Sequence, residues 1–155
     1  MRLKTKISLC FAFLIAGIFL FAAVGKIFFP RENLKIFEIS VGVFETLVVF
    51  LLFLYYKRWE TWLLVALLFA SWAGYAFFWM HAKLPCSCMG TMVEFPASFT
   101  FALDCFFWGA SMGLSHFLGA NSKKIRMALI VSPAAGIGGY FIAHLIAYII
   151  TTPHI

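Results

Sequence analysis

Charge is what this sequence has least of. Only 12% of its 155 residues are Asp, Glu, Lys or Arg, where a soluble domain carries roughly 25%. Acids are the scarcer sign, six Asp and Glu against twelve Lys and Arg. Intrinsic disorder needs low hydrophobicity and abundant charge, so it is excluded. Five prolines and eleven glycines without a period exclude a collagen-like fibre. Four cysteines do not make a secreted disulfide scaffold of a chain this apolar. What the chain has instead is apolar side chains: 64% of residues are hydrophobic and twenty are Phe. A globule of this size has too much surface to hide such a composition from water. A single all-α integral membrane domain in contact with the lipid bilayer is the class that remains.

A helix that crosses a bilayer needs about 20 mostly apolar residues. The hydropathy pattern predicts five such stretches: Ile7–Phe29, Ile36–Tyr56, Thr61–Trp79, Ser98–Leu118 and Met127–Ile150. The fifth contains Pro133, Gly136, Gly138 and Gly139. Proline is tolerated in membrane helices, and small residues are common where such helices pack closely. The first run is too long for a signal-peptide core and lacks a small-residue cleavage pattern before Lys26, so it is expected to be kept as a span. The connections are short except for one outer loop, 80–97, and a long loop is the natural home for function.

A net charge of +6 would point to nucleic acid in a soluble protein. Here the basic residues fall in the breaks between apolar runs, which makes them topology signals. No nucleic-acid partner is expected. Arg2, Lys4, Lys6, Lys57, Arg58, Lys123, Lys124 and Arg126 fall on one side; Lys26, Arg31, Lys35 and Lys83 fall on the other. The positive-inside rule then predicts a cytoplasmic N-terminus and an outer, periplasmic position for the long loop.

That loop contains Pro85-Cys86-Ser-Cys88-Met-Gly90. Facing an oxidising compartment, two cysteines one residue apart are placed to form a disulfide. The ring they close is very small, and strained, exposed disulfides are the exchanging kind. Cys86 and Cys88 are therefore candidates for thiol–disulfide exchange. A static bridge or a pair of plain thiols is the bland alternative. Cu(I) held by Cys86, Cys88 and Met89, with His81 and Met92 nearby, is another, since these are soft or borderline ligands. Lys83 is the loop cation that would favour a thiolate. Cys105, roughly two turns into the fourth span by helical rise, is a candidate resolving thiol. Cys10 lies on the opposite side.

Ionisable groups at membrane depth are costly and are usually paired or functional. Lys26 lies near the outer end of the first span, within reach of the interface by snorkelling. Glu38 and Glu45 are one heptad apart on one face of the second. Asp104 is in the outer half of the fourth. All four belong to the half nearest the cysteine loop. They are expected to meet inside the bundle, as an ion pair or as a polar pocket that carries protons or binds a small polar molecule.

These motifs resemble those of the MauE family of methylamine-utilisation membrane proteins, within the DoxX-like superfamily. The likeness runs from Ile7 to Leu118. Its carriers are Phe21-Ala-Ala-Val-Gly-Lys26, Phe44-Glu45-Thr-Leu followed by Lys57-Arg58, the Cys-Ser-Cys loop (where Ser87 and Met89 stand for the family's Gly and Phe), and Asp104. The resemblance implies a DoxX-like four-helix transmembrane bundle in a bacterial inner membrane, here with a fifth helix added. It further implies that Cys86 and Cys88 exchange electrons with a periplasmic thioredoxin-like or client protein, the charge passing to or from a membrane quinone. An assembly factor without redox activity, a Cu(I)-handling protein and a transporter built on the buried acids are the rival expectations.

Overall fold

A computed structural model of the chain describes residues 2–83 and 95–151. The described residues form five long helices: α1, Arg2–Phe28; α2, Lys35–Tyr55; α3, Trp59–His81; α4, Ala97–Phe117; and α5, Ser122–Thr151. A 3₁₀ turn at Glu32–Leu34 leads into α2. The helices run alternately up and down. At the amino-terminal end, Lys4 Nζ of α1 donates to Phe117 O of α4 at 2.8 Å, and Lys124 Nζ of α5 lies 4.2 Å from the Trp59 ring of α3. At the other end, called the loop end below, Leu34, Trp79, Ala97, Ala143 and Ile146 form one cluster.

Four helices among the described residues are long and apolar enough to cross a membrane: α1, α2, α3 and α5. The chain is a membrane protein on that evidence. Hydropathy predicts five spans, and α4 is the one that falls short. It is 21 residues long, like α2, but it carries Ser98, Thr100, Asp104, Ser111, Ser115 and His116. These polar groups turn inward where they matter most, for Asp104, Ser111 and Ser115 are buried. α5, in contrast, runs unbroken through Pro133.

Two kinds of contact hold the helices together. Along α3 and α5 the backbones touch. A methyl group added at Gly74 would overlap the Gly136 carbonyl, and one at Gly139 would overlap the Ser71 carbonyl. Elsewhere large rings hold the helices apart. Phe19 of α1 stacks on Phe69 of α3 at 5.5 Å and meets Trp72 edge-on at 4.9 Å, and Phe69 stacks on Phe107 of α4 at 5.2 Å. α2 packs along α1, where Gly42 lies against Ala23 and Ile27. Its end is pinned at the amino-terminal side of the bundle: Ser8 Oγ and Trp62 Nε1 both donate to Tyr56 O, the latter at 2.8 Å.

Candidate polar cavity

The ring-spaced contacts border an open space. A cavity of about 250 Å³ lies between the α1–α2 pair and the other helices, in the half of the bundle nearest the loop end. Its walls are mostly apolar: Ile18, Phe19, Ala22, Phe69, Trp72 and Leu103 are among them. Lys26, Glu38, Glu45 and Asp104 also line it. Three of its lining residues are themselves well exposed, Phe37 at 41%, Phe44 at 50% and Ile142 at 46%. They belong to α2 and α5, so the cavity opens on the lipid-facing flank between those helices.

The charged groups converge from three helices. Lys26 is on the last turn of α1, where snorkelling toward the interface is the cheap choice. It turns inward instead and is only 8% exposed. Its Nζ donates to Glu45 Oε1 at 2.6 Å. Glu45 is 1% exposed, and its second oxygen, Oε2, is buried without a hydrogen-bond partner among the described residues. An isolated buried charge costs far more than a paired one, which is why the lysine faces the bundle. Trp72 adds a ring face 6.0 Å from the ammonium. Asp104 approaches from α4 and is 6% exposed.

Glu38 serves a different purpose. Arg31 N donates to its Oε2 at 2.8 Å, and Arg31 Nε lies 3.9 Å from Oε1. The carboxylate thus caps the approach to α2, satisfying a backbone donor ahead of a helix that has no side-chain cap of its own. Arg31 counts as a topology residue in the charge pattern, yet part of its charge is spent on Glu38.

The remaining expectations fall elsewhere. Cys86, Cys88, Met89 and Met92 lie outside the described residues, and so does most of the loop that carries them. Its flanks are described: α3 ends at His81, whose Nδ1 is 3.1 Å from Phe77 O, and Lys83 takes a left-handed φ of 55°. Cys105 does not join the polar cavity. It is a free, exposed thiol in a second groove, between α3, α4 and α5, next to Phe101 and Trp108. Cys10 is free and exposed on α1.

Composition and spacing miss the walls of the site. Trp72 and Tyr75 line the cavity together with Ser71 and Thr100, and one of so many aromatic residues carries no signal of its own. The scarcity of charge was the signal that could be read, and it marks Lys26, Glu38, Glu45 and Asp104. No family model, curated protein or solved structure matches the chain.

Proposed function

We propose that this protein is a membrane thiol–disulfide redox component in which Cys86 and Cys88 are the exchanging pair. One observation carries the reading. A cavity holding a buried lysine and acids, open on the lipid-facing flank, lies in the half of the bundle toward which the Cys86-Ser-Cys88 segment connects α3 to α4. Oxidation of the two thiols to a disulfide releases two electrons and two protons. A lipid-soluble quinone takes up two of each to become a hydroquinone, so the exchange balances with that acceptor. The cavity offers such a ring an apolar, aromatic chamber, and Lys26 has ammonium protons beyond the one given to Glu45. The DoxX-like and MauE resemblance fits this reading and supplies a thioredoxin-like or client protein as the thiol partner. In the same reading α4 crosses the bilayer as a fifth span, its polar face turned into the bundle. The N-terminus is cytoplasmic and the cysteine segment lies outside a bacterial inner membrane.

Thiol accessibility in intact cells tests this. A heavy, membrane-impermeant maleimide is expected to label Cys86 and Cys88 from outside only after reduction, with Cys86→Ser and Cys88→Ser as controls. Thiols that label freely without reductant would exclude a resting disulfide and favour the Cu(I)-handling or assembly-factor readings. Labelling only after lysis would overturn the orientation.

A further inference from the structure

The carboxyls of the cavity outnumber its cations. Glu38 is satisfied by Arg31. That leaves Lys26 to serve both Glu45 and Asp104. Lys26 Nζ is committed to Glu45 Oε1 at 2.6 Å. Glu45 Oε2 is buried and unpartnered, and Asp104 has neither an ion pair nor a hydrogen bond among the described residues. Both residues are more than nine-tenths buried and both line the cavity. Two carboxylates and one ammonium would leave a net negative charge in an apolar chamber, a state that proteins avoid by neutralising the group. Carboxyls that share a partner bind protons as one unit.

We propose that the cavity is a proton-binding site open to the bilayer flank: Glu45 and Asp104 together hold one exchangeable proton, carried on the Asp104 carboxyl while Lys26 and Glu45 form the ion pair. The titratable groups facing the site are Lys26 from α1, Glu38 and Glu45 from α2, Tyr75 from α3 and Asp104 itself from α4. α5 brings Gly139 and Ile142, which do not titrate. Cys105, beside Asp104 in sequence, lines the other groove. The proposal deepens the redox reading by giving the chamber a proton to exchange with a bound carrier. It stands on geometry that does not involve the cysteines.

Dicyclohexylcarbodiimide, an apolar reagent that enters from lipid, tests it on the full chain in membrane vesicles. A protonated carboxyl transfers its proton to a carbodiimide nitrogen as its oxygen adds to the central carbon. The adduct then rearranges to a stable N-acylurea, with nothing oxidised or reduced. An ionised carboxylate has no proton to transfer. Peptide mass spectrometry is expected to find the adduct on Asp104 and not on Glu38 or Glu45, and to lose it as the buffer is made alkaline. Glu45→Gln is expected to abolish the adduct although Asp104 is untouched, because Lys26 then turns to Asp104 and holds it ionised. Replacing Cys86 and Cys88 by Ser is expected to leave labelling unchanged, so the thiol reading and the proton site fail separately. An unlabelled Asp104 in wild-type vesicles would overturn the proposal. So would full labelling in Glu45→Gln, or labelling that sodium suppresses at constant pH, which would make the site one for a metal cation.

Discussion

The seam between α3 and α5 and the seam between the α1–α2 pair and the rest of the bundle solve the same problem in opposite ways. At the first, Gly74, Gly136 and Gly139 remove side chains until backbones touch. At the second, Phe19, Phe69 and Trp72 act as spacers, and the space they hold open receives Lys26, Glu45 and Asp104. In lipid neither seam gains from excluding water, because the surroundings are as apolar as the interface. Close van der Waals contact serves the first, and an ion pair serves the second.

The largest effect is expected at the polar seam. Lys26→Met leaves Glu45 buried beside an apolar chain and should cost about 3–5 kcal/mol, the range for removing one partner of a buried pair. Chemical denaturation in detergent micelles measures it, and Lys26→Met with Glu45→Gln should recover a large part. A double variant as unstable as the single one would show that the pair does not act as a unit. At the glycine seam, Gly139→Val forces α3 and α5 apart and should cost about 3 kcal/mol, the upper part of the overpacking range. A melting temperature equal to wild type would show that the two helices do not touch there. Trp62→Phe keeps the ring in the core but removes the donor to Tyr56 O, a loss of about 1 kcal/mol by thermal melting. The smallest effect is a gain. Gly109 has open space where a Cβ would go, so Gly109→Ala should stabilise α4 by about 0.5–1 kcal/mol. A loss there instead would mean that small residues matter on this helix beyond the α3–α5 contact.

Legibility in the sequence followed rarity. Hydropathy marks α1, α2, α3 and α5 because long apolar runs are unambiguous. It is less decisive for α4, whose Phe and Leu residues share the helix with the inward polar face of Asp104, Ser111 and Ser115. The four buried charges stand out because charge is scarce, and spacing alone puts Glu38 and Glu45 on one face. Spacing does not say which acid takes the lysine. That depends on how α1 meets α2 in space, and Lys26 reaches Glu45, not Asp104. The glycines of α5 read as close-packing residues, yet their partners Gly74, Ser71 and Ala70 on α3 emerge only from the register between two helices far apart in the chain.

The separation of 19 residues between Lys26 and Glu45 bears on how the protein enters its membrane. A lone charged side chain at the centre of an inserting helix costs about 2.5–3.5 kcal/mol on the insertion scale, and of the two partners Glu45 sits mid-helix while Lys26 is on the last turn of α1. Because the two partners sit on consecutive helices, the first hairpin cancels its own charge as soon as α2 follows α1 out of the ribosome. It needs nothing from the later half of the chain. Asp104 is made long afterwards and meets an ion pair already closed. Biosynthesis thus delivers the third charge to a site that is electrically complete, in step with the packing of α1 on α2 that gives the lysine to Glu45.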